Sequence, residues 1–260
     1  MCTLTLAWRA FADAPIVVAA NRDELLDRDS EPPSVVDDGA GPAYVAPRDA
    51  EAGGTWIGYN ERGVFAGITN RWIDVPDGGE RSRGLLVRDV LRSDSAAAAR
   101  DTVERAVEAD TYDGFNLVVA ERDAGSRGVA TPAAYLFEWD GDLHTRRLTP
   151  GVHVVVNVGV DGEFVEPERR PELGAVQAEN AERVRAELDP DAYESAAAWR
   201  DRAADVLGTH EFGVCVHEPD RGFGTRSSSL VTLYDDGRSA FAFADGPPCD
   251  TPFRPIESHI

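Results

Sequence analysis

The second residue of the chain, Cys2, carries a thiol at the start of an alternating stretch, MCTLTLAWR. Leucines occupy one parity of this stretch and threonines the other, which is the period-two pattern of a β-strand. If Met1 is removed, Cys2 presents a thiol and a free α-amine on one residue. An α-amine with a pKa of about 7.7–8.0 can accept the thiol proton near neutral pH, which makes a nucleophile with its own base. A buried structural cysteine is the alternative, and position alone favours it.

A second group of polar residues, Asn21-Arg22-Asp23-Glu24, follows an apolar strand. If the first two strands pair as a hairpin, this quartet lies opposite residue 6, or opposite residue 2 if the register slips. Asp23 or Asn21 then lies close to Cys2, where a carboxylate would hold the α-amine. The alternative is a polar strand end with exposed charges.

Length and composition bound the class of protein. The 260 residues are 42% hydrophobic, which is enough for a full core, and we expect one domain over residues 1–260. The sequence contains no run of about 18 apolar residues and no basic segment followed by an apolar one at its start, so we expect a cytoplasmic protein without a membrane span or secretory signal. Three cysteines without a CxxC motif predict neither a disulfide framework nor a zinc ribbon.

The chain is strongly acidic. Its formal net charge is −21, and all 26 basic residues are arginine. Such a surface repels nucleic acid and anionic membranes, so neither is an expected partner. Because self-repulsion destabilises a compact acidic chain unless salt screens it, we interpret the composition as adaptation to a salt-rich cytoplasm, as in halophilic archaea. An acidic face for a cationic partner is the weaker alternative, since the acids are spread along the whole chain.

Periodicity and turn signals predict the elements that must position these residues. Runs of strands separated by helix pairs favour antiparallel sheets with helices in outer layers, an α+β fold. The stretch 30–54 is rich in proline, glycine and aspartate, and we expect a long loop there. The expected strands are 2–9, 16–21, 55–59, 64–70, 114–121, 134–139, 152–158, 212–217, 229–234 and 240–244, and the expected helices are 83–91, 96–108, 172–188 and 193–207, with 114–158 forming a three-strand meander.

Seven features follow one another along nearly the whole chain: Cys2 behind the initiator, NRDE (21–24), GGTWIGYNERG (53–63), AGITN (66–70), DGFNLVV (113–119), VVNVG (155–159) and GTRSSS (224–229). Together they resemble the NRDE family, also called the Transport and Golgi organisation family. One of these motifs alone would be weak, but seven in order are specific. The resemblance implies the four-layer αββα sandwich of the N-terminal-nucleophile hydrolases, with a cysteine at the mature N-terminus.

The cysteine branch of those hydrolases, the bile-salt and penicillin V acylases, offers roles by position. Cys2 resembles the nucleophile, Asp23 the acid near its amine, and Asn157 the side-chain donor at the oxyanion. Asn70 is similar to the asparagine near the other oxyanion donor. The alternatives are an Asx cap for Asn70 and a bulge or turn residue for Asn157. Ala20 departs from the pattern, because the acylases carry an arginine three positions before the aspartate.

Two classes of function follow from the resemblance. In the first, Cys2 cleaves a C–N amide or related acyl bond in a small molecule. In the second, the chain is a non-catalytic carrier, since eukaryotic relatives are linked to Golgi organisation, haem trafficking and acyl-CoA or lipid metabolism. A third reading is an enzyme-derived scaffold without a ligand. Haem and acyl-CoA are anionic, so carriage needs a local cationic patch; the expected ligand contacts are Asn21, Arg22, Glu24, Arg71 and Arg226.

The histidines predict no metal site, and no cofactor is expected. On a strand over 212–217, residues 215 and 217 share a face while His210 lies before the strand, so no tetrahedral spacing emerges. Cys215 is expected in the core, and Cys249 is expected as a free thiol in a proline-rich tail. The oligomeric state is not readable from the sequence.

The acidic composition makes stability dependent on salt. We expect the melting temperature to rise between dilute buffer and 2 M KCl by at least about 2 °C, the shift that roughly 1 kcal/mol produces in a chain of this length. An uncharged osmolyte at equal osmolality, which favours compact states without screening charge, is the control. Equal melting temperatures in dilute buffer and in KCl would show that the charge is tolerated by other means.

Overall fold

The computed structural model describes residues 2–76, 78–123, 132–258 and 260. In chain order its elements are β1 (Thr3–Trp8), β2 (Ile16–Leu25), β3 (Ser30–Val36), β4 (Tyr44–Asp49), β5 (Ile57–Asn60), β6 (Val64–Asn70), α1 (Arg83–Leu91), α2 (Ala96–Ala109), β7 (Phe115–Glu121), β8 (Ala134–Trp139), β9 (Leu143–Arg147), β10 (Gly151–Val156), β11 (Gly159–Val160), β12 (Glu163–Phe164), α3 (Pro171–Glu187), α4 (Ala196–Gly208), β13 (His217–Glu218), β14 (Phe223–Leu233), β15 (Ser239–Ala244) and β16 (Arg254–Ile256). Short 3-10 helices span Pro190–Ala192, His210–Phe212 and Pro219–Arg221.

These elements form two compact units. The first comprises Met1–Arg28 and Pro150–Ile256, and the second comprises Asp29–Thr149 and Glu257–Ile260. Each unit contains one antiparallel sheet and two helices, with α3 and α4 against the first sheet and α1 and α2 against the second. The predicted α+β class is therefore confirmed, whereas the single domain stays a prediction. No helix in the described part of the chain is long and apolar enough to cross a membrane.

The first sheet has the strand order β12-β11-β10-β1-β2-β14-β15-β16, with β13 also paired to β14. β1 and β2 form the predicted hairpin, and Thr3 pairs with Asn21, so residue 2 falls opposite Arg22. This is the register that brings the quartet to Cys2. The quartet is not a polar strand end, because β14 continues to pair with β2 as far as Leu25.

The second sheet has the order β3-β4-β5-β6-β7-β8-β9, and its core follows the strand period. Alternate residues of β7, namely Phe115, Leu117 and Val119, share one core with Leu86 and Val90 of α1. Because side chains alternate across a strand, these three lie on one face of the sheet. All four predicted helices are present within three residues of their expected ends, and the hydroxyl of Ser95 caps α2.

The predicted loop over 30–54 is wrong, because it contains β3 and β4. Prolines at 32 and 33 argued against a strand. The register between β3 and β4 shifts between Glu31 and Ser34, and β3 is an edge strand, so the prolines fall in an irregularity where no ladder hydrogen bond is lost.

Two further predictions of strand placement are wrong. The third strand of the expected meander, β10, belongs to the first sheet, and the polar edge strand β9 follows β8 instead. The strand expected over 212–217 is a 3-10 helix followed by an irregular segment, with strand structure only from His217. The strand expected at 229–234 is present but begins earlier, because β14 starts at Phe223 and contains the motif GTRSSS.

Asn60, in the motif GYNERG, joins a hairpin turn to the end of a helix. Its side-chain nitrogen donates to the main-chain oxygens of Leu91 and Ser93, each at 2.8 Å. Its side-chain oxygen accepts from the main-chain nitrogens of Arg62 and Val64, each at 3.0 Å. One buried amide therefore satisfies four main-chain groups.

Asn60→Ala is expected to lower the free energy of unfolding by about 2–4 kcal/mol, because several buried main-chain groups lose their partner. Urea unfolding of the full chain measures this. The control is Glu61→Ala on the same turn, where an exposed side chain predicts a change within about 0.5 kcal/mol. Similar small effects for both variants would contradict the role of Asn60.

Candidate active site

Cys2 lies where the first strand begins, and both of its reactive groups have close neighbours. Its main-chain nitrogen donates to Oδ1 of Asn157 at 3.0 Å. Its Sγ lies 3.5 Å from the main-chain oxygen of Asp23. Burial of the thiol, followed by the negative charge of Asp23, raises the pKa of Cys2 above its usual value. The thiol is therefore protonated at neutral pH unless a base takes its proton.

The side chain of Asn157, directly after β10, is held by a helix. Its Oδ1 accepts a second hydrogen bond, from Nε2 of Gln177 on α3, at 2.9 Å. Oε1 of Gln177 in turn accepts from the main-chain nitrogen of Val158 at 3.1 Å. Gln177 thus fixes the direction of the Asn157 amide, and the carbonyl end of that amide faces the Cys2 nitrogen.

Asp23 is a buried carboxyl on β2 that is held from the neighbouring strand. Its Oδ1 accepts from Oγ1 of Thr225 at 2.6 Å, and the two residues are paired in the β2–β14 register. Thr225 Oγ1 also accepts from the main-chain nitrogen of Val216 at 2.9 Å. Burial raises the pKa of Asp23, and the hydrogen bond from Thr225 acts in the opposite direction.

The side chain of Asn21 links several elements of the first unit by hydrogen bonds. Its Nδ2 donates to the main-chain oxygens of Leu207 and Val214, at 3.1 and 2.9 Å, and its Oδ1 accepts from the hydroxyl of Ser228. Both amide protons are used within the protein, and the side chain is buried. The amide of Asn21 thus joins β2, β14, the end of α4 and the segment after it, and contact of Asn21 with a ligand stays a prediction.

Arg22 and Glu24 point to the opposite face of β2 from Asp23, because side chains alternate along a strand. Nη2 of Arg22 lies 3.7 Å from Oε2 of Glu24, and that oxygen also lies 3.9 Å from Nε of Arg28. Arg22 is buried, so its charge is balanced locally. The two residues remain candidates for ligand contact as a pair, not as an isolated cation.

Arg226 occupies a β-bulge. In the β2–β14 register Thr225 pairs with Asp23 and Ser227 pairs with Arg22, which leaves Arg226 as the extra residue. Bulges bend a strand and redirect the side chain of the extra residue. Arg226 is half-buried, and its Nε is buried without a hydrogen bond to any residue in the described part of the chain. Contact of Arg226 with a ligand stays a prediction.

Asn70 and Arg71 belong to the second unit. Asn70 ends β6 opposite Phe115 and is exposed. Nη1 of Arg71 donates to Glu138 at 2.7 Å and to Asn116 at 2.9 Å, so the charge of Arg71 is balanced within the sheet. The structure thus assigns Arg71 an internal ion pair, and the oxyanion role of Asn70 stays a prediction.

The family model described as Transport and Golgi organisation 2 matches residues 1–243. The chain belongs to the Transport and Golgi organisation 2 family. It is similar to the Transport and Golgi organization protein 2 homolog of Bos taurus, with 29% identity over 87% of this chain and 84% of that protein. The homolog from Homo sapiens is 27% identical over the same shares of the two chains.

Solved structures similar to this family member have the N-terminal-nucleophile-hydrolase fold. They include penicillin V acylase from Agrobacterium tumefaciens (TM-score 0.52, 15% identity, 94% of this chain and 83% of that one). An N-acylethanolamine-hydrolyzing acid amidase ortholog from Caenorhabditis elegans has a TM-score of 0.53 at 15% identity, over 88% of this chain and 92% of that one. The C2A mutant of conjugated bile acid hydrolase from Clostridium perfringens has a TM-score of 0.53 at 9% identity, over 100% of this chain and 97% of that one. Identities this low show the fold alone, and they confirm the predicted fold class.

Two residues that hold this site in the family member were not singled out from the sequence. Thr225 lies in the motif GTRSSS, in which only Arg226 was predicted to contact a ligand. Gln177 is a polar residue on the same helix face as the buried Ala181 and Val184, and a buried glutamine among apolar neighbours needs internal partners. That pattern was the available signal.

Asp23→Asn should accelerate alkylation of Cys2 in the chain that retains Met1. There the Cys2 nitrogen is an amide and cannot act as a base, so the thiolate fraction alone sets the rate. Removing the negative charge lowers the pKa of the thiol. Each fall of one pKa unit makes the reaction about threefold faster at pH 8, because the lower nucleophilicity of the thiolate offsets part of the tenfold rise in its concentration. Mass-mapped iodoacetamide labelling measures this rate.

Glu24→Gln is the matched control for this charge effect. Glu24 raises the pKa of the thiol less than Asp23 does, so its variant should give a smaller acceleration. Slower labelling of Asp23→Asn in the Met1-retaining chain would show that the carboxylate does not act on the thiol through its charge.

Proposed function

We propose that this chain is an N-terminal-nucleophile hydrolase in which Cys2, after removal of Met1, attacks a C–N amide or related acyl bond of a small molecule. Met1 lies outside the described residues, so its removal is part of the proposal. The observation that carries it is the pair of contacts at Cys2: the nitrogen on Asn157 Oδ1 at 3.0 Å and the thiol 3.5 Å from the Asp23 main chain.

The proposed chemistry begins with a proton transfer. Because burial raises the pKa of the thiol, it needs a base within reach, and the α-amine of the same residue has a pKa of about 7.7–8.0. The amine takes the proton, the Sγ–carbon bond forms, and the C–N bond breaks as the ammonium returns its proton to the leaving nitrogen. Water then hydrolyses the thioester. Asp23 holds the ammonium in position.

Asn157 has a divided role in this proposal. Its side-chain oxygen holds the Cys2 nitrogen, and its NH2 group is the proposed donor to the oxyanion. Asn70 is the proposed neighbour of the second donor. Arg226, redirected by the bulge, is the proposed contact for an anionic or strongly polar part of the substrate. Ala20 supplies no guanidinium at the position where the acylases carry one, so Arg226 is the nearest alternative along β14.

The fold neighbours support this class of reaction by analogy. Their names describe an acylase, an acid amidase and a bile acid hydrolase, and the last was solved as its C2A mutant. Those activities belong to those proteins. For this chain the analogy adds weight to a nucleophile at residue 2 and leaves the substrate open.

Carriage is the second candidate function, and one feature of the first unit favours it. A groove of about 450 Å³ lies between α4 and strands β14 to β16. It is lined by the apolar side chains of Leu230, Phe241, Phe253 and Pro255, and α4 contributes the charged residues Arg200, Asp201 and Asp205. Such a groove accommodates an apolar chain without any contribution from Cys2.

The mass-verified chain that begins at Cys2 tests the hydrolase proposal against a panel of N-acyl amides and thioesters. We expect turnover, and we expect Asp23→Asn to slow both alkylation of Cys2 and turnover, the opposite of its effect in the Met1-retaining chain. Asn157→Ala should lower kcat/KM by about 10²-fold or more, as loss of an oxyanion donor does. Asn157→Asp keeps the acceptor for the Cys2 nitrogen and loses the donor, so turnover retained in this variant would contradict the oxyanion role of the NH2 group.

Carriage predicts a different set of results. Hydrolysis would be undetectable, Asp23→Asn would leave labelling of the processed chain unchanged, and haem or acyl-CoA would bind with an affinity that Phe241→Asp or Arg226→Gln weakens. Retention of Met1 in protein purified from its own source would also exclude the free-amine mechanism. Undetectable hydrolysis, unchanged labelling of Asp23→Asn or retention of Met1 would each overturn the hydrolase proposal.

A further inference from the structure

We propose that His210, Cys215, His217 and Cys249 bind one zinc ion in a tetrahedral structural site. Each residue offers one ligand atom, and the four atoms all lie within 4.8 Å of one another. His217 Nε2 is 3.4 Å from Sγ of Cys215 and 3.2 Å from Sγ of Cys249. The rings of His210 and His217 pack edge to face with centroids 5.1 Å apart.

These separations match a site for a tetrahedral ion. Zinc bonds of about 2.3 Å to sulfur and 2.0–2.1 Å to nitrogen place the ligand atoms about 3.3–3.8 Å apart at tetrahedral angles. The distances from His217 Nε2 to the two sulfur atoms are close to this range, so small side-chain rotations would complete the coordination. Two thiolates and two imidazoles form a donor set typical of zinc, and the thiolates balance its charge.

The chain brings these residues together through an irregular segment, which explains why strand spacing did not predict the site. After α4, the 3-10 helix His210–Phe212 ends at Gly213, which has a φ of 65°. A Cβ there would collide with Nδ2 of Asn180, so the turn requires glycine. This reversal carries His210 back towards His217, and Cys249 comes from the loop after β15.

A disulfide between Cys215 and Cys249 is the competing interpretation of the two thiols. It accounts for neither imidazole, although His217 contacts both sulfur atoms. A metal ion uses all four side chains. Because four protein ligands fill a tetrahedral sphere, the site is closed to substrate and is structural.

The proposed zinc would stabilise the segment around Val216, which contacts the candidate active site. Val216 lies between two ligands, and its main-chain nitrogen donates to Thr225, which in turn donates to Asp23. A zinc ion would fix this segment and the loop that carries Cys249 to each other. The inference rests on the four ligands alone and holds whether or not the chain is a hydrolase.

The test uses the full chain, produced without a metal-affinity tag, stripped with a chelator under reducing conditions and reloaded with zinc or cobalt. We expect one equivalent of zinc by elemental analysis and a higher melting temperature in the loaded protein. Bound cobalt should show the intense visible bands of a tetrahedral ion and thiolate-to-cobalt charge transfer. Cys249→Ser and His217→Ala should each weaken zinc binding by at least about 100-fold, since even partners of ligands are worth 10–100-fold.

Cys2→Ser and His144→Ala are matched controls, because each removes a thiol or an imidazole outside the cluster. Both should keep one zinc and the cobalt spectrum. Cys249 lies in a loop, so its variant is the one expected to keep the fold, which circular dichroism checks. Octahedral cobalt spectra, binding unchanged in Cys249→Ser, or a Cys215–Cys249 disulfide that forms in the presence of stoichiometric zinc would each overturn the proposal.

Discussion

The position of β2 between β1 and β14 is the constraint on which the rest of the first unit depends. β2 is paired with β14 from Ile16 to Leu25 and with β1 as far as Asn21, so the first three residues of the polar quartet are buried in the sheet. Buried polar groups must find partners inside the protein. Each member of the quartet therefore has a defined internal role: Asn21 joins neighbouring elements, Arg22 and Glu24 form an ion pair, and Asp23 faces Thr225.

The same constraint explains which parts of the site were predictable. Cys2, Asp23 and Asn157 were identified from motifs, and the structure brings them together because antiparallel pairing of β1 with β2 and β10 is fixed by a short turn and by alternating apolar residues. Gln177 and Thr225 were not predicted, because the residues that they hold, Asn157 and Asp23, belong to other elements of the fold. The structural role of Asn21 was not predicted, because the sequence does not reveal that its amide donates to distant main-chain oxygens.

Prediction of the fold failed where local composition and tertiary context disagree. Serine hydroxyls cap α1, α2 and α4, and α3 begins with a proline in its first turn, so local signals were sufficient to predict the helices. The edge strand β3 contains two prolines, and β9 is almost entirely polar, so neither shows the pattern of a buried strand. The assignment of β10 to the first sheet is a long-range choice that no local pattern encodes. The irregular segment after α4 was predicted as a strand because apolar and polar residues alternate in it. It is not a strand, because the chain turns at Gly213, which has a positive φ.

The bulge at Arg226 divides β14 into two parts with different neighbours. Before it, β14 is bordered by β13, and after it by β15, while β2 runs along both parts. The later part is anchored in a continuous ladder, so its side chains are bound to the packing of the sheet. The earlier part borders β13 over only two residues, yet it holds Thr225 against Asp23. Arg226 lies between the two parts and is paired in neither ladder, so a change of its side chain removes no paired position from β14.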